Sequence, residues 1–376
     1  MTPQNMEAII SHGYGTYQNL KLVTDYPKPN VNELPKRKML VKTLAVALAP
    51  GDARVLSGDC KSLQGPPSFP YIPGGDLCGI IIDMNDVDPS TVGYNVGDRV
   101  AARFTEGPRG ALGEYAVIAP DMTEKVPENV SSEDAAALAS SATIALSLSR
   151  RISSKERVVI IGAGGGVGSH LCQFLKLKGV ELMAGVSREP ERLLKEPILC
   201  DCALDYTQKD VYDFHEWNNI NVTEKFDTVV DLAGGGWLRL LEQSKNEDEN
   251  EAMIVKTAKE GGRYLTMTPD EPLFKINSIW EGMKLFLFTS LFRAIYSRLN
   301  DRAKLPAYTF AMSIDNDVQI MKETLKLASE NKLKACIDDR GPFAFTTEGA
   351  QDAFKLQASR HVRGKVVIRG PNVGTN

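Results

Sequence analysis

The sequence predicts an α/β protein of two domains, a compact β-barrel-like module followed by a doubly wound parallel sheet. Three observations predict it. The chain has 376 residues, more than one ordinary hydrophobic core accommodates and enough for two. Short β-branched runs broken by Gly and Pro fill the stretch from Lys38 to about Tyr115, whereas from Arg157 onward apolar strand runs alternate with helices. Such alternation builds right-handed βαβ crossovers and a parallel sheet. At its start a Gly-rich loop, Gly162-Ala163-Gly164-Gly165-Gly166-Val167-Gly168, stands between a strand and a helix.

In the first domain the strand runs are Met39–Thr43, Gly79–Ile82, Asp98–Ala102 and Glu114–Ile118, closely spaced and punctuated by turns. Ser131-Ser132-Glu133-Asp134 then supplies a cap and first-turn acids for an Ala-rich helix over Ala135–Leu148. The second domain runs through strand Val158–Ile161, helix Ser169–Lys178, strand Leu182–Val186 and a helix near Pro190–Leu194. Strands at Ala203-Leu204, Phe226–Asp231, Arg263–Thr266 and Tyr308–Met312 continue it. From Asp315 a helix (Val318–Glu330) and two strands, around Phe343–Phe345 and Gly364–Ile368, return to the first domain. The expected division is 1–140 completed by 314–376, and 141–313.

A formal charge of -4 leaves no electrostatic footprint for nucleic acid. Six scattered cysteines predict free thiols in a reducing compartment, and the N-terminal residues lack a secretory or transit pattern, so a cytoplasmic location is expected. The apolar stretch Ile276–Leu299 is interrupted by Asn277, Glu281, Lys284, Arg293 and Arg298, which argues for a pocket-lining helix or a subunit contact over integral membrane association. The acidic run Asn246–Glu251 reads as an exposed loop. His12, His170, His215 and His361 are far apart in sequence, and Cys200-Asp201-Cys202 reads as core packing, so no metal site is expected.

A dinucleotide diphosphate needs close backbone approach and converging N–H groups at a helix N-terminus. The loop supplies both, with Gly164, Gly165, Gly166 and Val167 as binding residues, although Val167 breaks a strict G-x-G-x-x-G. The next strand ends Gly185-Val186-Ser187-Arg188. An acid to accept from ribose hydroxyls is missing there, and a hydroxyl with a guanidinium suits a 2′-phosphate, so the cofactor predicted is NADP(H).

Other segments carry a wider likeness. Tyr71-Ile72-Pro73-Gly74-Gly75-Asp76-Leu77-Cys78-Gly79, Val96-Gly97-Asp98-Arg99-Val100, Gly113-Glu114-Tyr115, Ala203-Leu204-Asp205-Tyr206 and Arg360-His361-Val362-Arg363-Gly364-Lys365 resemble the quinone oxidoreductase-like branch of the medium-chain dehydrogenase/reductase superfamily. The likeness runs through almost the whole chain. It implies a GroES-like catalytic domain from both chain ends and a Rossmann cofactor domain. It also implies Tyr206 beside the 2′-phosphate, Ala233, Gly234 and Arg360 at the cofactor, and Tyr71 and Thr143 as catalytic residues. Trp280, Phe286, Phe288, Phe292 and Tyr296 would partly face substrate. Its members are often dimers, so a homodimer is one assembly to expect.

Two departures shape the expected chemistry. Zinc-dependent relatives carry G-H-E where this chain has Gly74-Gly75-Asp76, and Ala49-Pro50-Gly51-Asp52 lacks both their early cysteine and the asparagine of the zinc-free reductases. Without a Lewis acid, hydride delivery to an already activated acceptor, an α,β-unsaturated carbonyl or a quinone, is the natural reaction. Two alternatives stay open: a stand-alone enoyl reductase of a biosynthetic pathway, and an NADP(H)-binding regulatory or interaction protein with impaired catalysis.

Overall fold

A computed structural model describes residues 5–66, 68–104, 110–246, 251–271, 273–311 and 318–371. The chain divides into two units, Met1–Thr143 with Asp315–Asn376, and Ile144–Ile314. In chain order the strands are β1 (Asn5–Ile10), β2 (Lys21–Pro27), β3 (Met39–Leu48), β4 (Asp76–Asp83), β5 (Arg99–Arg103), β6 (Tyr115–Ile118) and β7 (Thr123–Lys125). Then come β8 (Arg157–Ile161), β9 (Leu182–Ser187), β10 (Cys202–Asp205), β11 (Thr228–Asp231), β12 (Arg263–Thr266), β13 (Ala307–Phe310) and β14 (Val366–Arg369). The longer helices are α1 (Pro50–Ser57), α2 (Ser132–Arg150), α3 (Gly166–Lys178), α4 (Gly236–Gln243), α5 (Ile279–Met283), α6 (Thr289–Leu299), α7 (Val318–Ser329) and α8 (Thr347–Ser359), with a π-helical turn at Lys284–Phe288 joining α5 to α6.

The first unit is an antiparallel sheet in the order β14-β3-β4-β5-β7, with β6 also pairing β3. β3 organises it because its Val- and Ala-rich run fits a pleated surface and is buried along most of its length. The last strand closes onto it with Val366 opposite Leu48 and Arg369 opposite Ala45. Several elements have no counterpart among the sequence expectations, α1, β7 and α4 among them, and two more shape this unit. One is the β1–β2 hairpin, which forms its own two-stranded sheet. The other is α8, where Thr346 accepts from the Gly349 amide as N-cap and Ala350, Ala353, Phe354 and Gln357 bury one face at helical spacing. Conversely, the strand expected around Phe343–Phe345 is reduced to a single bridge between Phe343 and Ile368.

The second unit is a parallel sheet in the order β10-β9-β8-β11-β12-β13. Its central strands β8 and β11 are buried except at Arg157, and carry Val158–Ile161 and Val229-Val230 as their apolar runs, as a sheet covered on both faces requires. From β8 the order runs outward in both directions, through β9 on one side and β11 on the other, so the carboxyl ends of β8 and β11 flank the switch point where such sheets bind ligands. α3 starts three residues before its expected position because Gly165 is already the extended N-cap and the glycines enter the first turn. Met312 and residues 247–250 of the acidic run lie outside the described residues. Among the described residues no helix is long and apolar enough to cross a membrane.

Candidate dinucleotide site

The loop between β8 and α3 is shaped by glycine at two positions above all. Gly162 has φ +85°, a region that side-chain-bearing residues avoid. A Cβ on Gly168 would lie 2.3 Å from the Gly162 carbonyl oxygen and 2.7 Å from Ala163 Cα, so only glycine lets the first turn of α3 press against the strand exit. Gly165 caps α3 without a side-chain acceptor. The first-turn N–H groups therefore present the positive end of a 13-residue helix to whatever lies beyond the loop. A backbone cradle with that polarity fits a diphosphate.

The rim of the cradle is cationic and hydroxylic. Ser187 ends β9, and a Cβ on Gly164 would lie 3.0 Å from its Oγ. Arg188 is exposed, and Tyr206, 49 % exposed, follows the end of β10, where Asp205 stands in register with Ser187. The Asp205 carboxylate turns into its own loop, accepting from the Thr207 amide at 2.8 Å and hydroxyl at 2.7 Å. Sequence reasoning missed Arg192, whose Nη1 donates to the Gly164 carbonyl at 3.4 Å. Its position four residues after Arg188 was the available signal.

On the other side of the switch point, Ala233 and Gly234 follow β11. Their amides already donate to Oδ1 of Asp231 at 2.9 and 2.8 Å, and the Gly236 amide donates to Oδ2 at 3.0 Å. These two residues therefore offer a ligand their carbonyls and a close backbone approach in place of those N–H groups. Gly234 has φ +89°, and a Cβ there would meet the Pro269 carbonyl oxygen at 2.4 Å. Asp231, fully buried, is the organising residue, and an acid two residues before Ala-Gly-Gly-Gly was its only trace in the sequence.

The remaining sequence-predicted residues belong to the first unit. Tyr71 is buried at 3 % exposure and lines a cavity of about 570 Å³ with Tyr26, Ile72, Arg103, Phe104 and Tyr115. Thr143 is buried in α2, where its hydroxyl donates to the Ala139 carbonyl at 2.8 Å, so its proton is committed inside the helix. Arg360 is the exposed C-cap of α8 at φ +60°. Asp76 and Lys365 form a buried ion pair at 3.1 Å. Burial pushes the Asp76 carboxyl above its ordinary range, with Lys365 and Arg103 acting against that shift. Burial likewise drives the Cys78 thiol up to about 12. All six cysteines are free thiols, and among the described residues no group of three or more His, Cys, Asp and Glu side chains is arranged to hold a metal ion.

The aromatics of the helix beyond β12 divide between surface and packing. Trp280, Phe288 and Phe292 are exposed side chains. Phe286 packs edge-on against Phe274 and tilts over Phe310, and Tyr296 stacks on Phe292.

Two family models match the chain, the second running from one unit into the other. The family model described as "Alcohol dehydrogenase GroES-like domain" matches residues 35–128, and that described as "Zinc-binding dehydrogenase" matches residues 200–368. Among curated proteins, the chain is 25 % identical to the NADPH-dependent alkenal/one oxidoreductase, chloroplastic, of Arabidopsis thaliana, across 97 % of this chain and 80 % of that one. It is 26 % identical to the 2-methylene-furan-3-one reductase of Solanum lycopersicum, across 97 % and 79 %. Among solved structures, the quinone oxidoreductase of Escherichia coli complexed with NADPH superposes with a TM-score of 0.69 at 20 % identity, covering 96 % of this chain and 99 % of that one. That of Coxiella burnetii reaches 0.71 at 23 %, covering 97 % and 99 %. These structural likenesses speak to the fold. Several relatives are named as chloroplastic or mitochondrial, which lends the cytoplasmic expectation no support.

Proposed function

The chain belongs to the medium-chain dehydrogenase/reductase superfamily, in its quinone oxidoreductase-like branch, and from that premise we propose that it is an NADP(H)-dependent reductase of α,β-unsaturated carbonyls or quinones that works without zinc. The observation that carries the reading is the rim of the β8–α3 cradle. Ser187, Arg188 and Arg192 gather where an NAD-preferring site would place a carboxylate, and Asp205 on the neighbouring strand is engaged in its own turn. Relatives and structural neighbours named for NADPH point the same way.

When bound, NADPH supplies the hydride. The protein's own contribution is positional and electrostatic. The N-terminus of α3 holds the diphosphate, and Arg188 with Tyr206 and Ser187 takes the 2′-phosphate. Asp231 locks the Ala233–Gly236 turn so that its backbone can lie close to the nucleotide. In this proposal residues 1–140 with 314–376 handle the acceptor and residues 141–313 the nucleotide, with Arg360 assigned to the cofactor. Tyr71, on the wall of its cavity, is the phenol assigned to the acceptor. Thr143 contributes oxygen lone pairs, its proton being held by Ala139.

The zinc-free part rests on the residues themselves. Gly75 has no side chain to ligate metal, and Asp76 is tied to Lys365. A reductase of activated acceptors needs no Lewis acid to polarise an alcohol.

The test is NADPH oxidation by the purified protein with a panel of quinones, enals and enones, run beside NADPH and NADH titrations and metal analysis. Turnover with at least one acceptor, tighter NADPH than NADH and substoichiometric zinc are expected. Tight NADPH binding with no turnover on any acceptor would leave the binding-protein alternative, which the alanine at position 49 favours. Stoichiometric zinc whose removal abolishes activity would overturn the zinc-free assignment.

A further inference from the structure

Of the two arginines on α6, Arg298 is exposed, whereas Arg293 keeps only 14 % of its side chain accessible. The Arg293 guanidinium forks onto Asp270, with Nη1 donating to Oδ1 at 2.8 Å and Nη2 to Oδ2 at 2.6 Å. Its central carbon also lies 5.7 Å from the centre of the Tyr308 ring on β13. A bidentate pair fixes orientation as well as distance. Withdrawn this far from water, it escapes much of the screening that leaves exposed pairs weak.

Asp270 ends a loop that leaves β12 at Thr266, and that loop is laced to the end of β11. The Thr266 hydroxyl donates to the Asp231 carbonyl at 2.9 Å, and the Thr268 hydroxyl donates to the Leu232 carbonyl at 3.3 Å. The Pro269 carbonyl occupies the space that a side chain on Gly234 would need, and the Asp270 carbonyl would lie 3.4 Å from a Cβ on Gly235. Arg293 therefore grips the far end of a segment whose body packs on the Ala233–Gly236 turn.

Strand order says which part of a nucleotide this segment meets. With the diphosphate at the start of α3 and the 2′-phosphate at the ends of β9 and β10, the adenosine half lies to one side of the switch point. An extended dinucleotide then lays its nicotinamide half across the ends of β11 and β12, the two strand ends that the loop ties together. We infer, as a step that rests on the NADP(H) reading, that Arg293 and Asp270 are positioning residues for the nicotinamide half. Their clasp holds the Thr266–Asp270 loop against Gly234, so that the loop is a fixed wall of the site. Ser187, Arg188 and the start of α3 stand on the other side of β11 from this loop, so the adenosine half does not depend on the clasp.

Titration of the purified chain with two probes tests it: NADPH, and adenosine 2′,5′-bisphosphate, which carries the 2′-phosphate but no nicotinamide. Arg293→Ala and Asp270→Ala should each weaken NADPH about tenfold and leave the bisphosphate within about twofold of wild type. The double variant should lose no more than either single one, because both remove the same clasp. Arg293→Lys, which keeps the charge without the fork, should recover only part of the loss. Equal weakening of both probes, or additive losses in the double variant, overturns the clasp as a positioning device. Unchanged NADPH affinity in both single variants overturns it too and leaves the NADP(H) reading standing, whereas a wild type that binds neither probe overturns both. Should the alanine variants fail to fold, wild-type hydrogen exchange decides. The amides of Met267, Thr268 and Asp270 should gain protection with NADPH and not with the bisphosphate, and protection by both probes or by neither refutes the assignment.

Discussion

Within the parallel sheet the phenol of Tyr264 on β12 donates to Oδ2 of Asp231 at the end of β11, at 2.5 Å. The same carboxylate collects the amides of Ala233, Gly234 and Gly236. Burial first, and then the negative charge of Asp231, hold the Tyr264 phenol far above its ordinary pKa, so it remains a donor throughout the working pH range. A strand end, a neighbouring strand and a glycine turn are thus tied to one buried group.

Removing that group should damage stability and nucleotide binding together. Asp231→Ala strands three amides and a phenol in the interior and should cost about 3–5 kcal/mol, whereas Tyr264→Phe removes one donor and should cost about 1–2 kcal/mol. Urea midpoints compare the two, and NADPH titration of Asp231→Asn should show weakened binding because an amide cannot accept from all three N–H groups. Unchanged affinity in Asp231→Asn would detach this turn from the cofactor.

The glycine loop makes a graded prediction. In Gly168→Ala the new methyl meets backbone atoms at 2.3 and 2.7 Å, which cannot move without shifting the loop. In Gly164→Ala it meets the Ser187 Oγ at 3.0 Å, which can rotate. NADPH affinity should fall more than about tenfold in the first and only a few-fold in the second, a difference of at least ~1 kcal/mol. Equal losses would mean that the cradle is not shaped as described.

Cofactor preference should follow the two arginines differently. Arg188→Ala should weaken NADPH by about 10–100-fold and leave NADH almost unchanged, the worth of one charged hydrogen bond to a 2′-phosphate. Arg192→Ala also releases the Gly164 carbonyl, so it should weaken both nucleotides. Equal effects of Arg188→Ala on NADPH and NADH would refute the 2′-phosphate assignment.

How much was legible in the sequence follows from how local each signal is. β8, the glycine loop and β12 were legible because an apolar run bounded by turn residues has few competing conformations. α8 went unassigned although Thr346 caps it and Ala350, Ala353 and Phe354 keep helical spacing, because Gly349 and a run of small and polar residues weaken its local propensity. The strand expected at Phe343–Phe345 is a lone bridge, since alternation alone does not guarantee a partner along its length. At the site, Ser187 and Arg188 could be read from their place after a strand. The roles of Asp231 and Arg192 depend on which backbone groups the fold brings to them, and no spacing announces that.

Stability in acid should depend on Asp338. Its carboxylate is buried and accepts from Arg340 Nε and Nη2 at 2.7 and 2.6 Å and from the Arg363 amide at 2.7 Å. Burial alone would raise its pKa, but these hydrogen bonds outweigh it and hold the carboxyl below the usual 3.8. A lowered folded-state pKa means that the contribution is complete above the unfolded value and is lost as pH falls through the folded one. Asp338→Asn should therefore cost about 2 kcal/mol at pH 7, with the gap to wild type closing below pH ~4. A gap that persists or widens at pH 3, followed by urea unfolding, would contradict the hydrogen-bonding account.

Position 49 separates capping from catalysis. Ala49 is the N-cap of α1 at φ -125° and ψ 161°, without a side-chain cap, and its own amide donates to Oδ2 of Asp52 at 2.7 Å. An asparagine in that conformation can accept from a first-turn amide, so Ala49→Asn should add about 0.5–1 kcal/mol and raise the melting temperature by about 1–3 °C. If the side-chain amide also faces the acceptor, as the family likeness implies, kcat on a quinone or enone should rise while the KM for NADPH stays unchanged. A stability gain with unaltered kcat would assign this position to the helix alone, and no gain in stability would reject the capping argument itself.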